Sequence, residues 1–363
     1  MADYSSVPEN GLISASGFAL VTGGLPELES ALLNRIAAIR SADPFSPVDV
    51  VIGSVLQRPY LQRLIADSSP GLLNVRFSTL GELGIRLGEE ALIAAGSHPL
   101  PAMAARGYAA EIARRTEGYF EPVARTPGFA EATRRLVGEL RQEDIALETL
   151  ERFAPSIAES ETKAAGLTDL YRRYLDGRAG RYDGTDALAA ADPAAFDGAE
   201  LLVYGIWRIG AHGRRLLERL AERVPVTVFL PVAGGERDVA HLEMRDWLAD
   251  AGASRQPATP EATVPTALAH LQATLFAPAT PVEPDGTVQL VSAPDPLSEV
   301  QEAARTCLDW ANEGILFREM AIVYRDAATY RPVVEAVFTG AGIPLYLDDG
   351  PSIAERPLGR RIL

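Results

Sequence analysis

Of the 34 lysines and arginines in this 363-residue chain, one is lysine, Lys163. Lysine performs specific chemistry. A P-loop nucleotidase places one at the start of a helix, where it reaches the β- and γ-phosphates. Nucleases of the PD-(D/E)xK type place one two residues after an acid, and Schiff-base enzymes use its amine. Lys163 is therefore the one position that could host any of these. Glu161-Thr162-Lys163 satisfies the acid-x-lysine pattern. It lies in an Ala/Glu-rich helical stretch, however, whereas the nuclease site needs its acid and lysine on a strand. A solvated helix face is the favoured reading. Abundant alanine and arginine with almost no lysine point to a GC-rich genome.

The other reactive side chains bound the chemistry further. The single cysteine, Cys307, excludes an internal disulfide, a cysteine zinc site and an iron–sulfur cluster within the chain. His98, His212, His241 and His270 are far apart and lack ligand spacing, so no metal site is expected. Asp348-Asp349 and the group Glu139, Glu143 and Asp144 read as surface carboxylates. His212, near Arg208, reads as a loop histidine at a helix start. Trp207 and Phe77 could stack on bases, although a packed core position is the commoner fate of such residues. A formal net charge of −15 argues against a broadly basic nucleic-acid binder and leaves room for a local arginine-lined channel.

These residues need elements to position them. GFALVT at 17–22 reads as a buried strand, Gly23-Gly24 as a tight turn, and Pro26 as the first helical residue before Leu28, Leu32, Ile36 and Ile39. Strands at 48–53, 74–79, 200–206 and 226–232 alternate with helical patterns, which predicts a parallel, doubly wound α/β sheet. From 99 to 195 the strand signal gives way to helical periodicity, with the arginine pairs Arg114-Arg115, Arg134-Arg135 and Arg172-Arg173 on solvated faces. Residues 254–286, rich in Pro, Ala and Thr, read as a linker around a short helix. A second α/β unit follows, with strands expected at 287–293, 320–326 and 343–349. The organisation expected is thus a disordered N-terminus (1–13), a first domain (14–98 plus 196–253), a helical insertion (99–195), the linker and the start of a second domain (287–363). The N-terminus has no basic region before its short apolar stretch, so no signal or membrane span is expected, and the chain reads as cytoplasmic.

Residues 298–363 carry a specific resemblance. Glu299 opens a helix; Gly314 leads to Glu319-Met320-Ala321; a strand ends in Tyr324-Arg325; and Gly342-Ile343-Pro344 and Pro357-Leu358 follow. This order resembles the start of the second RecA-like domain of superfamily 1 helicases, and most closely the AddB-type subunit of bacterial helicase–nucleases. Arg325 and Arg331 match the spacing of the family's fourth helicase motif. GFALVTGG sits where the family has its P-loop. VRFSTLGELG resembles the segment that touches single-stranded DNA, with Ser78 and Thr79 at the matching positions. LLVYGIWRIGAHGRR resembles the surroundings of the second helicase motif. The resemblance implies RecA-like (P-loop NTPase-like) domains, with the 99–195 insertion in the place of subdomain 1B. It also implies a nuclease domain beyond Leu363, so the chain reads as an N-terminal piece of a longer protein or a truncated reading frame.

The departures from the family pattern are informative. A working first turn reads G-x-x-x-x-G-K-[ST]. Here Thr22-Gly23-Gly24-Leu25-Pro26-Glu27-Leu28-Glu29-Ser30 has no lysine, loses a backbone donor at Pro26, and puts Glu27 and Glu29 where the helix dipole would favour a triphosphate. The second motif should end its strand in an acid for Mg²⁺, but Tyr204-Gly205-Ile206 offers none before Glu218. The expected cofactor set is therefore empty, with ATP and magnesium not bound and no catalytic residue in this chain. The primary expectation is an ATPase-inactive, helicase-like scaffold in double-strand-break processing. It would hold single- or double-stranded DNA ends, a partner helicase–nuclease subunit, or both. Arg76, Ser78, Thr79, Arg325 and Arg331 are the expected DNA or phosphate contacts. Two alternatives remain: a protein-interaction module without DNA contact, which the net charge favours, and an active ATP-dependent enzyme with an atypical phosphate loop. The second needs an arginine in place of the lysine, and the nearest, Arg35, is about two helical turns away.

Overall fold

The computed structural model describes residues 17–68, 73–232, 235–259, 266–275 and 278–347. The N-terminal segment 1–13, Asp348-Asp349 and Pro357-Leu358 lie outside the described residues.

The chain alternates strands and helices from its first described residues. β1 (Phe18–Gly23) feeds α1 (Leu25–Ala42), β2 (Val48–Ile52) feeds α2 (Gln57–Ser68), and β3 (Val75–Ser78) feeds α3 (Leu80–Ala94). A two-residue strand β4 (His98–Pro99) precedes α4 (Ala102–Arg114), α5 (Pro127–Gln142), α6 (Leu147–Ile157) and α7 (Glu161–Gly177). β5 (Arg181–Tyr182) pairs back onto β4 and closes the excursion. α8 (Gly184–Ala190), β6 (Leu201–Tyr204), α9 (Ala211–Ala221), β7 (Val226–Pro231), α10 (Leu242–Asp250) and β8 (Ser254–Pro257) complete the unit.

Six strands form one parallel sheet in the order β3-β2-β6-β7-β1-β8. Parallel strands are buried on both faces, which is why they read as unbroken apolar runs. The pleat sorts their side chains. Val48, Val50, Ile52, Leu202, Tyr204 and Phe229 pack with Leu28, Leu32 and Ile36 of α1 and Leu61 and Ile65 of α2. Phe18, Leu20, Val51, Leu201, Val203, Val226 and Val228 pack on the other face with Leu83 and Leu87 of α3, Leu216 and Leu220 of α9, and Met244 and Leu248 of α10. β8 falls inside the stretch expected to be a linker. Its sequence, SRQP, has no apolar alternation, and its pairing with β1 alone makes it an edge strand.

The helices α4–α7 have their own core of Ile112, Val137, Leu150, Leu170, Tyr171 and Tyr174. Arg141, 8 % exposed at the end of α5, reaches Asp183 at 2.5 and 2.8 Å and Asp186 at 3.0 Å, just ahead of and within α8. Arg178 joins the same two carboxylates. Burial by itself would raise the Asp183 pKa, but Arg141 and Arg178 prevail and hold it at about 2.

After the short α11 (Ala267–Thr274) comes the second unit. It contains α12, which begins at its cap Asp295 and spans Pro296–Asn312, and α13 (Ala327–Gly340), capped by Asp326. Val300, Ala304, Cys307, Val334, Phe338 and Ile343 form the core of this helix pair. The three strands expected at 287–293, 320–326 and 343–349 form no ladder among the described residues. Their apolar alternation survives in part. Met320, Ile322 and Tyr324 pack on the helices, while Val323 between them is 94 % exposed. Alternation specifies which face is buried, but a strand also needs a hydrogen-bonded neighbour.

Candidate functional site: the C-terminal edge of the parallel sheet

All six strands run the same way, so their C-terminal ends and the turns after them meet at one edge. In open parallel sheets, that edge is where ligands bind. It contains Thr22-Gly23-Gly24, Gly53-Ser54, Ser78-Thr79 and Tyr204-Gly205.

The β1–α1 turn keeps the outline of a phosphate loop. Thr22 is buried, paired with Leu230 on one side and Pro257 on the other, and Gly23 pairs with Pro231. Gly24 caps α1 with no side-chain hydrogen bond, and a proline stands in the first turn. The Glu27 carboxylate folds back over Gly24, where a Cβ on that residue would collide with Oε2. An anion therefore already sits at the positive end of the α1 dipole. That Oε2 is buried and accepts no hydrogen bond. Two residues on, Glu29 accepts a hydrogen bond from the Tyr60 hydroxyl of α2 at 2.7 Å. Partial burial, then Glu29, pushes the Tyr60 phenol up to about 12. Arg35 is no substitute for the missing lysine. It makes three hydrogen bonds to the buried Glu200, just ahead of β6, at 2.6–2.9 Å.

The end of β6 places no acid at the edge. The Tyr204 ring is buried among Phe229, Leu202 and the α1 side chains, and burial and then Glu29 raise its phenol pKa. Gly205 takes φ +66°, a left-handed conformation that disfavours side chains, and a Cβ there would lie 2.6 Å from the Gln57 amide nitrogen. Gln57 accepts from the Gly53 and Ser54 backbone N–H groups at 3.0 and 3.2 Å, closing the turn at the end of β2. Among the described residues, no group of three His, Cys, Asp or Glu is arranged to hold a metal ion.

The β3–α3 turn is built differently. Thr79 caps α3 through a capping box: its Oγ1 accepts from the Glu82 N–H at 3.3 Å, and its own N–H donates to Glu82 at 2.7 Å. Arg58 of α2 pairs with Glu82 at 2.8 Å. The Ser78 Oγ, buried one residue earlier, has no hydrogen-bond partner. Arg76 does not join these two at the edge. It donates to Asp49 at 2.5 Å and to Asp197 at 2.7 and 2.9 Å. Asp49, 0 % exposed on β2, also accepts from Arg86 of α3 at 2.6 Å. Arg76 is thus engaged by two carboxylates, Asp197 above all, that favour its charged form.

The other candidates are scattered. In the second unit Arg325 is exposed and unpaired among the described residues, whereas Arg331 bonds Glu335 at 3.2 Å and leaves one terminal nitrogen buried without a partner. Lys163 stands in the first turn of α7, 3.1 Å from Glu159, on a helix rather than a strand. Phe77 packs against the core beneath α1 and α2, while Trp207 is 53 % exposed beside His241. Glu143 and Asp144 face α9 as ion-pair partners of Arg208, Arg214 and Arg215, and Asp144 lies 3.4 Å from the His212 ring. Burial lowers the His212 pKa despite Asp144. Sequence reasoning missed Asp49. The signal was available, because a carboxylate within the apolar run VDVVI of a strand buried on both faces requires cations from its neighbours.

A doubly wound, all-parallel α/β unit with its strand-end turns gathered at one edge is the architecture of a RecA-like domain. The chain is an AddB-type protein. It is 30% identical over 370 residues to the AddB-type subunit of the ATP-dependent helicase/deoxyribonuclease from Moorella thermoacetica, covering 90% of this chain and 32% of that protein. The corresponding proteins from Symbiobacterium thermophilum and Bacillus subtilis are 28% and 26% identical over 66% and 64% of this chain. Those matches cover 24% and 23% of the two relatives, so the chain spans a third of their length or less. No protein-family model matches the chain. No helix among the described residues is long and apolar enough to cross a membrane.

Proposed function

We propose that this chain is an ATPase-silent, helicase-like scaffold of an AddB-type helicase–nuclease, acting in the cytoplasm in DNA end processing and recombination. The observation that carries this is the Glu27 carboxylate lying over the N-terminus of α1, in the place a triphosphate would take. A second carboxylate at Glu29 and a glycine at position 205 agree with it. Two anions at this turn repel a nucleotide, and the β6 end supplies no Mg²⁺ ligand. The relatives are named as subunits of an ATP-dependent helicase/deoxyribonuclease. By that similarity, a partner motor subunit would supply the ATP-driven step. Isothermal titration with ATP·Mg²⁺ tests the silent site: no binding is expected, and micromolar binding with turnover overturns it.

The scaffold would hold single-stranded DNA through the Ser78 and Thr79 hydroxyls at the sheet edge and through Arg325 and Arg331 of the second unit. Arg76, held by Asp49 and Asp197, supports the turn rather than a phosphate. Fluorescence anisotropy on a labelled single strand should show binding that weakens steeply with salt. Absence of binding at low salt would favour a protein-interaction module, the role to which the charge of −15 is better suited.

A further inference from the structure

A cavity of about 330 Å³ lies beside the β3–α3 turn, and none of its lining comes from the β1–α1 turn. Four parts of the first unit wall it: the first turn of α3, the end of α5, the start of α8, and the β6–α9 loop with the first turn of α9. Its volume is at the lower end of the roughly 300–1,000 Å³ typical of small-molecule sites, which leaves room for one small ligand. The chain has a net charge of −15, yet no carboxylate is among the eleven residues that line this cavity. Arg208 is the one arginine among them, and it is held differently from the arginines that follow it. Arg215 bonds Asp144 at 2.6 Å, and Arg214 bonds Glu243. Arg208 is 66 % exposed and makes no hydrogen bond among the described residues, since its nearest carboxylate, Glu143, is 3.7 Å away. An exposed, unbonded guanidinium on a wall without carboxylates favours an anion.

The rest of the lining suits a body attached to that anion. α9 starts at Gly210 with no side-chain cap, and a Cβ there would lie 2.6 Å from the Gln142 carbonyl oxygen. No side chain can therefore grow from Gly210 to cap the first-turn N–H groups of α9. Gln142 and Thr185 contribute an amide and a hydroxyl, and Leu80, Leu188 and Ile209 contribute apolar surface. We propose that this cavity binds a single nucleoside 5′-monophosphate, either free or as the 5′ end of a DNA strand. The phosphate would meet Arg208 and the start of α9. The base would lie among the three apolar side chains, with its polar edge towards Gln142 and Thr185. The anion preference rests on the cavity itself, whereas the choice of a nucleotide as its bearer rests on the reading that this chain handles DNA.

The test is titration of the full chain with thymidine 5′-monophosphate in EDTA. Thymidine and inorganic phosphate probe the two halves of the ligand and should each bind at least tenfold more weakly. Arg208→Ala should weaken binding about tenfold or more, the scale of one hydrogen bond to a charged group. Its thermal melting should not change, because Arg208 is exposed and unbonded. Gly81→Leu fills the cavity from a position where an added Cβ meets no atom within 4 Å, and it should abolish binding. Three results overturn the site: no binding of the monophosphate, equally tight binding of inorganic phosphate, or binding that both variants leave unchanged. Fluorescence anisotropy with labelled oligonucleotides separates the two sources. Tighter binding of a 5′-phosphorylated strand than of its 5′-hydroxyl form assigns the site to a strand end, and equal binding of the two assigns it to the free nucleotide. If the monophosphate fails to bind while oligonucleotides still bind with a steep salt dependence, the cavity site alone is lost. If oligonucleotides fail to bind while the monophosphate binds, the DNA reading alone is lost.

Discussion

The β1–α1 and β3–α3 turns leave the same edge of the same sheet and both open helices, but they satisfy those helices in opposite ways. At β3–α3 a neutral hydroxyl and a glutamate form a closed capping box, and Arg58 neutralises the glutamate. Below it, Asp49 clamps Arg76 and Arg86. At β1–α1 the cap is a bare glycine, and Glu27 folds back over it with one oxygen unpartnered. At the β3–α3 turn the helix cap and its glutamate are paired within the fold, although the Ser78 Oγ beside them is not. At the β1–α1 turn a carboxylate oxygen is left unpaired. A helix N-terminus therefore does not by its geometry announce a phosphate site, since its nearest side chains decide what it can still accept.

The largest blow to this contrast is removal of Asp49. Asp49→Ala strands two arginines against the sheet and should cost about 3 kcal/mol, read as a lowered denaturation midpoint. Hydrogen exchange should accelerate at 75–88 and not at 18–30, and acceleration at both turns would show that they are not independently held. Next is acid, which bears on neither turn. The folded Asp183 pKa of about 2 lies below its usual value of 3.8. The stability it contributes is complete above pH 4 and disappears as the pH falls from about 4 to 2, amounting to about 2 kcal/mol. Asp183→Asn should flatten that part of the stability–pH curve. If it does not, the contact of Arg141 on α5 with Asp183 ahead of α8 is not the acid-sensitive joint.

The cap gives a smaller effect. Thr79→Ala should destabilise by about 1 kcal/mol in chemical denaturation. Gly24→Ser, the corresponding change at the other turn, should stabilise nothing, because Glu27 already fills the space. A gain at Gly24 would erase the distinction between the turns. The smallest effect is spectroscopic. Glu29→Gln should lower the Tyr60 phenol from about 12 while burial keeps it above 10. The difference spectrum between the variant and the parent on alkaline titration isolates that one phenol.

Much of the sheet was legible in the sequence. Apolar runs of five or six residues after turn signals are buried parallel strands here, because helices on both faces remove the polar alternation. β8 was not legible, since an edge strand of Ser, Arg, Gln and Pro is held only by the backbone of β1. The candidate site was half legible. The missing lysine and the glutamates in the first turn of α1 could be read directly. Arg76 could not, because its position beside Ser78 and Thr79 in sequence says nothing of the two carboxylates that hold it.

The sequence alone determined composition and period: one lysine, no acid at the end of β6, and the strand–helix alternation of a doubly wound sheet. These are local properties, written in neighbouring residues. Tertiary structure decided where charge ends up. Asp49 meets Arg86 across 37 positions and Arg76 meets Asp197 across 121, and Tyr60 reaches Glu29 because α1 and α2 lie on one face. Electrostatic contacts depend on distance in space, and only the packing of the sheet brings those distances below 3 Å.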